Sequence, residues 1–352
     1  MKHLSADSSL VFDRMVMNQS LPDPAGFLPA WWCRSGHAQT IWASTLRPVP
    51  EIATMRRERW DTDDGDFLDL DCVSAEAGRP TLVVLHGLEG SSSAQQVRSV
   101  LYAAQQRGWR AFALNFRSCS GEVNRLRRSY HAGETSDLRW VIRRIASEHP
   151  ESPIGCVGMS LGGSVLLKYL GEPDEEPPTA LRAAAAISAP FDLAASALAF
   201  ERGFLSRIYM RRLVRTLKQK TEAKLKQYPD LVDRRRLAMV RTIRNFDAAV
   251  TAPTHGFADA EAYWAACSCR QFLAGIRRPT LLINALDDPL VPPETLPRAE
   301  VAHNPRLAGV FPNAGGHVGF ISGDRPSHPV LWAEEAGLRF FDQRFSRAAL
   351  LS

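Results

Sequence analysis

The stretch Ile154-Gly-Cys-Val-Gly-Met-Ser-Leu-Gly-Gly163, continued by Ser164-Val-Leu-Leu-Lys-Tyr-Leu170, decides how this chain is read. Ile154 to Val157 is a short apolar run of the kind buried in a parallel sheet, and Ser164 to Leu170 is compatible with a helix. Between them, Gly158-Met-Ser-Leu-Gly162 has the form G-x-S-x-G. A strand–turn–helix with this punctuation places its serine on a sharp, strained turn with the hydroxyl exposed. The glycines let strand and helix backbones pass where a Cβ would clash. Working outward, Thr81-Leu-Val-Val-Leu85 and Trp109 to Phe116 read as strands on the N-terminal side, with a helix over Ser99 to Arg107 between them. A second helix, capped at Ser136 and carrying Leu138, Ile142 and Ile145 on one face, ends near Pro150. On the C-terminal side, Leu181 to Ile187, Thr280 to Ile283 and Leu307 to Phe311 read as strands. Leu331, Leu338, Phe341 and Phe345 share a helical face near the end of the chain. Strands alternating with helices predict an α/β fold with a mostly parallel sheet covered on both faces.

Composition fits a globular protein: 352 residues, 45% hydrophobic, 23% charged, with 23 Gly and 23 Pro. No run approaches the roughly 18 apolar residues of a membrane span. The best candidate, Ala180 to Phe200, is interrupted by Arg182, Pro190 and Asp192. Met1 to Leu21 lacks the basic and apolar regions of a signal peptide, so a cytoplasmic location is expected. The six cysteines are scattered; Cys267-Ser-Cys269 reads as buried thiols rather than a metal site. Charge is distributed unevenly. Glu201 to Phe246 holds fourteen Lys and Arg against four Asp and Glu, a net +10, leaving −5 on the rest of a chain whose total is +5. A basic helical insert therefore interrupts an acidic body. Few aromatics interleave with those cations, only two of them tyrosines, Tyr209 and Tyr228, beside Phe204 and Phe246 at the ends, so a nucleic-acid role is not expected. We divide the chain into an N-terminal extension (1–60), a core (61–193 and 270–352) and a basic helical cap insert (194–269).

A serine hydroxyl becomes a nucleophile when an imidazole accepts its proton. Downstream of Ser160 stand His255, His303, His317 and His328. His317 lies in Asn313-Ala-Gly-Gly-His-Val-Gly-Phe320, a glycine-rich loop after a strand, where α/β sheets place reacting groups. For the acid that orients the imidazole, Asp287-Asp288 follows the strand ending at Ile283. Adjacent side chains on extended backbone alternate, so only one of the two points inward. His86 reads as a structural, hydrogen-bonded histidine.

These residues resemble the α/β-hydrolase superfamily, and within it the branch of bacterial YheT-like hydrolases and eukaryotic ABHD-type lipases. The resemblance runs nearly the whole chain. It rests on Gly36-His-Ala-Gln-Thr40, His86-Gly-Leu-Glu-Gly90, Asn115-Phe-Arg-Ser-Cys-Ser-Gly121 with Asn124, and Tyr130-His-Ala-Gly-Glu-Thr135. Gly158 to Gly163, Ser188-Ala-Pro-Phe-Asp192, Phe246-Asp247, Thr251-Ala-Pro, His255-Gly-Phe257, Asp287-Asp288-Pro289 and Gly315-Gly-His317 complete it. The resemblance implies an α/β-hydrolase fold with a helical cap and a serine esterase or monoacylglycerol lipase acting on carboxylic esters. By position, the nucleophile falls on Ser160, the acid on Asp288 (its spacing to Val291-Pro292 resembles the acid turn of many such enzymes) and the base on His317. Backbone N–H groups of Leu88 and Leu161 would form the oxyanion hole, and no cofactor or metal is required. The expected partner is a small ester or acylglycerol; the basic cap reads first as a solvated face, with peripheral membrane contact as the alternative. The chain departs from the family at Ser118, where glycine is expected, and is not expected to carry the N-terminal anchor of eukaryotic relatives. Acyl transfer to an alcohol and a non-catalytic binding role on the same fold stay open as rival readings. Of the insert, Phe204, Ile208, Leu213 and Leu217 are expected chiefly to pack on the core, with lining of an acyl pocket as the alternative.

Overall fold

In the computed structural model, the apolar runs around Ser160 become the middle of an eight-stranded sheet. Residues 26–52, 55–173 and 175–350 are described; the reading of Met1 to Leu21 and the first part of the proposed extension lie outside them. The strands are β1 (Met55–Asp61), β2 (Phe67–Val73), β3 (Thr81–Leu85), β4 (Arg110–Asn115), β5 (Ile154–Met159), β6 (Leu181–Ile187), β7 (Thr280–Ile283) and β8 (Leu307–Val310). Their order is β1-β2-β4-β3-β5-β6-β7-β8. From β4 to β8 every pairing is parallel, while β1–β2 and β2–β4 are antiparallel.

The parallel strands are the ones that the apolar runs announce, since strands covered on both faces carry little polar punctuation. β1 and β2 form a hairpin that the apolar reading passes over. β1 is mostly charged, and β2 alternates Asp69 and Asp71 with apolar residues. Those aspartates are buried and paired across the hairpin: Arg59 makes a bidentate contact with Asp69, at 2.8 and 2.9 Å, and Arg57 with Asp71, at 3.0 and 2.8 Å. Because β1 is an edge of the main sheet, the sheet begins at Met55, and a boundary at residue 60 cuts through a strand.

One face of the sheet is covered by the helices Gln95–Gln106 and Trp332–Leu350, the other by Ser136–Glu148, Leu161–Gly171 and the helical insert. Thr135 is the N-cap of the helix over 136–148, and Ser136 is its first residue. Leu338, Phe341 and Phe345 are buried on the C-terminal helix, whereas Leu331 belongs to a two-residue strand that precedes it. The insert is a run of helices: Leu193–Ala199, Phe204–Gln227, Arg234–Met239, Ile243–Phe246 with its continuation to Thr254, and Ala260–Cys267. Asp192, Asp233, Thr242 and Asp259 cap four of them through their side chains, satisfying N–H groups that a helix start leaves open. Among the described residues, no helix is long and apolar enough to cross a membrane.

Ser118 adopts φ 66°, the left-handed conformation that glycine enters most easily. Its hydroxyl donates to Asn124 Oδ1 at 2.7 Å and accepts the Asn124 N–H at 3.1 Å, so local hydrogen bonds hold a serine where the family pattern leads one to expect glycine.

Candidate active site

Ser160 sits between the end of β5 and the helix Leu161–Gly171, at φ 52° and ψ −122°. A non-glycine residue in so sparsely populated a region costs on the order of 1–3 kcal/mol and persists only when its surroundings over-determine it. Here they do. The Ser160 N–H donates to the Ile187 carbonyl of β6 at 2.8 Å, continuing the sheet into the turn. A Cβ on Gly158 would lie 2.3 Å from the Gly162 carbonyl oxygen, and one on Gly162 would lie 2.6 Å from that of His86. The G-x-S-x-G spacing is thus a steric requirement of this turn.

His317 Nε2 lies 2.8 Å from Ser160 Oγ, and His317 Nδ1 lies 2.8 Å from Asp288 Oδ2. The Asp288 side chain is fully buried, and its other oxygen, Oδ1, accepts the N–H groups of Leu290 and Val291 at 2.8 and 3.1 Å. That turn aims Oδ2 at the imidazole. With Nδ1–H donated to the carboxylate, the Nε2 lone pair faces the serine hydroxyl.

The loop carrying His317 is tied down from four directions. Its own N–H donates to Thr40 Oγ1 at 2.9 Å, and that of Val318 donates to Ser188 Oγ at 2.9 Å. The Gly316 N–H donates to Asp287 Oδ1 at 2.8 Å, and the Ile321 N–H donates to Gln39 Oε1. Asp287 therefore pins the loop of the histidine that its neighbour orients. Burial raises the Asp287 carboxyl above its ordinary value. Thr40, Ser188 and Gln39 fall inside stretches that carry the family resemblance, but no spacing in the sequence connects them to residue 317.

Leu88 and Leu161 both line the cavity that contains Ser160 and His317. Leu161 is the first residue of its helix, so its N–H has no partner within that helix. The backbone preceding Leu88 passes directly over the serine: a Cβ on Gly87 would lie 3.2 Å from Ser160 Cβ. All five residues singled out for the site are thus brought together. The other histidines are not. His303 Nδ1 contacts the Ala299 carbonyl, His328 neighbours Ser327, and His255 packs against His131 with ring centroids 4.4 Å apart. His86 is structural: its Nδ1 donates to the Gly87 carbonyl at 2.7 Å, Nε2 accepts the Phe116 N–H at 3.1 Å, and burial pushes it down to about 4.

Above the serine lies a cavity of about 110 Å³, with apolar walls from Leu193, Ala197, Phe200, Leu217, Ile243 and Phe246 of the insert. Leu217 both packs in the core cluster and lines this pocket, and Leu213 lines the outer mouth. Phe204 and Ile208 are not pocket residues: they are 76% and 44% exposed. Sequence reasoning named Asp247 for the resemblance only. It lines this cavity, where burial raises it to about 6 against hydrogen bonds from Thr251 and Trp264 Nε1.

A model of the α/β-hydrolase fold matches residues 80–324. The chain is 39% identical over 315 residues to the candidate esterase YheT of Escherichia coli (strain K12), covering 88% of this chain and 91% of that one. It is 28% identical over 323 residues to human phospholipase ABHD3 (90% of this chain, 78% of the relative). With the monoacylglycerol lipase of Saccharomyces cerevisiae it shares 31% over 303 residues, 84% and 65% of the two chains. Among solved structures, the esterase Pf2001 of Pyrococcus furiosus superposes with a TM-score of 0.54 at 18% identity, over 85% of this chain and 98% of that one. A parallel sheet with a strained serine after its fifth strand, and family-level similarity across most of the sequence, lead to one conclusion: the chain belongs to the α/β-hydrolase fold family.

Proposed function

We propose that this protein is a serine hydrolase of carboxylic esters, with Ser160 as nucleophile, His317 as general base and acid, and Asp288 as the group that orients His317. The observation that carries the reading is the unbroken relay Asp288–His317–Ser160 opening into an apolar cavity. As Ser160 Oγ attacks an ester carbonyl, His317 Nε2 takes its proton, and Asp288 stabilises the imidazolium. Leu88 and Leu161 N–H groups would receive the negative charge on the carbonyl oxygen, an interaction made fully only in the transition state. His317 then protonates the departing alcohol, and a water repeats the sequence on the acyl-enzyme.

The names of the relatives point to an acyl ester or acylglycerol as substrate. The apolar cavity of about 110 Å³ continues past Ser160 and His317 into a groove of about 470 Å³, which suits a short or medium acyl chain in the cavity with the alcohol portion in the groove. The helical stretch 194–269 acts as the cap. Its outer face supports docking on an anionic lipid surface, because Phe204, Ile208, Arg211 and Arg215 fall on one exposed side of the helix Phe204–Gln227.

The test is hydrolysis of p-nitrophenyl esters from acetate to palmitate by wild type and Ser160→Ala. Wild type turns over the shorter esters, and Ser160→Ala loses about 10⁴-fold or more in kcat. Turnover by the two proteins at equal rates refutes the serine mechanism, and turnover by neither refutes the esterase reading. In the latter case a fluorophosphonate that labels only wild type, together with release of alkyl ester when an alcohol is supplied, assigns the chain to acyl transfer instead.

A further inference from the structure

The loop His86-Gly-Leu-Glu-Gly90 carries an unusual residue beside the oxyanion donor. Glu89 adopts φ 57°, although nothing in its side chain eases a left-handed backbone. The turn is closed by the Gly90 N–H on the Gly87 carbonyl at 3.0 Å, with Leu88 and Glu89 at its centre. A positive φ at the second central residue is a place that such turns usually give to glycine or asparagine. Something must hold Glu89 there, and the holding groups are visible.

The Glu89 N–H donates to Tyr130 Oη at 2.9 Å, and the Tyr130 hydroxyl donates back to Glu89 Oε1 at 2.8 Å. Lys220 Nζ donates to the same oxygen at 2.9 Å and lies 3.1 Å from Cys119 Sγ. The Glu89 side chain is only 3% exposed. Tyr130 is fixed in turn by stacking on Phe116, at 5.5 Å and 4° between the rings. Tyr130 and Cys119 belong to the core, but Lys220 belongs to the helix Phe204–Gln227 of the insert. The Gly87 side of the turn is held separately, by His86 Nδ1 on its carbonyl. The Gly87–Leu88 amide therefore lies between two clamps, one made wholly by the core and one completed by the insert.

We propose that Lys220, acting through Glu89 and together with Tyr130, is a positioning residue for the oxyanion hole, so that the insert sets the aim of the Leu88 N–H as well as roofing the pocket. The inference rests on the serine-hydrolase reading of the site. A buried carboxylate that loses its cation is driven to protonate or to seek water. Either change releases the strained turn, and the Leu88 N–H moves off the line to the carbonyl oxygen. Interactions that stabilise the transition state alone are the ones lost, so the deficit appears in kcat and leaves KM in place.

The experiment compares wild type with Lys220→Met, Lys220→Arg and Tyr130→Phe on a soluble short-chain p-nitrophenyl ester. In parallel it measures inhibition by an alkyl trifluoromethyl ketone, whose serine adduct puts an oxyanion where the ester's would be. Asp230→Ala, which breaks the exposed insert-to-core pair between Arg127 and Asp230, controls for loosening of the insert in general. Lys220→Met is expected to lose about tenfold to a hundredfold in kcat with KM within about twofold, and the ketone to weaken by a matching factor. Tyr130→Phe loses less, Lys220→Arg recovers most of the rate, and Asp230→Ala matches wild type. The proposal is overturned if Lys220→Met keeps both kcat and ketone affinity, or if Asp230→Ala reproduces its loss. Failure of the underlying reading looks different, since wild type itself would then neither turn over the ester nor bind the ketone.

Discussion

The core and the insert reach the same serine by different means. The core, with the segment before it, fixes the backbone of the site: the strained φ of Ser160, the turn whose N–H groups hold Asp288, and the loop of His317, whose N–H groups are held by the side chains of Thr40, Ser188 and Asp287. The insert works with side chains, through the pocket residues Leu217, Ile243 and Phe246 and through Lys220 on Glu89. Backbone constraints bear on the chemical step, because small displacements of reacting atoms cost rate steeply. Side-chain contacts from a helical layer can vary in size and charge while the sheet beneath stays as it is. The fold thus separates what makes the reaction possible from what selects and tunes it.

The sharpest way to break this contrast is to disturb the core without moving an atom's position by much. Asp288→Asn retains the shape of the acid but can present an N–H to His317 Nδ1, favouring the tautomer whose Nε2 carries the proton. The expected loss in kcat is about 10⁴-fold, with folding and KM near wild type. A loss below tenfold would mean that Asp288 is a structural turn residue and that the relay is not used.

The insert's outer face should respond in the opposite sense. Phe204→Asp with Ile208→Asp adds two negative charges next to Arg207 and Arg211, outside the pocket. Co-sedimentation of wild type with phosphatidylglycerol vesicles, falling as salt rises, should drop several-fold in the double variant. Hydrolysis of a soluble ester should be unaltered. Equal sedimentation of both proteins, or none by wild type, removes the lipid-docking role of this face.

The same contrast explains what could be read from the sequence. Strands β3, β5 and β7 are continuous apolar runs, β6 is one from Ala183 onward, and the serine turn between β5 and its helix has a glycine pattern imposed by backbone clearance, so both are legible in a linear text. Asp288 could be separated from Asp287 by the family's acid turn; alternation of neighbours was no guide, because the backbone turns at 286–287 and both carboxylates reach the His317 loop. The hairpin of β1 and β2 was hidden because its buried aspartates look like surface charge until Arg57 and Arg59 are placed across from them. Non-local support was equally invisible: Thr40 lies 277 positions from His317, and Lys220 lies 131 from Glu89. Nothing local in a run of fourteen cations marks those that turn inward, since burial of Lys220 is decided by where the whole helix lands.

The junction between insert and core should also be the acid-sensitive part of the molecule. His131 of the core and His255 of the insert face each other, and burial lowers them to about 3 and about 4, against an ordinary value of 6.5; burial likewise holds His86 near 4. Each is neutral when folded and takes up a proton when the chain unfolds. The unfolded state therefore binds more protons below pH 6.5, and the stability they contribute is present above that pH and drains away as pH falls towards about 4. Asp247, raised to about 6 by burial, acts in the opposite direction between about 6 and 3.8, because the folded state then holds the extra proton. With His149 also lowered by burial, and Asp137 and Asp287 also raised by it, four histidines stand against three aspartates; carboxylates held low by ion pairs and hydrogen bonds, such as Asp64 and Glu134, add to the loss as pH falls. Calorimetry from pH 7 to 4.5 should show Tm falling by several degrees, and His255→Gln should flatten that fall by removing one of the four histidines. A Tm that stays level or rises over this range would show that the buried pair is solvated or otherwise compensated, and that the seam between core and insert is held by its ion pairs and apolar contacts alone.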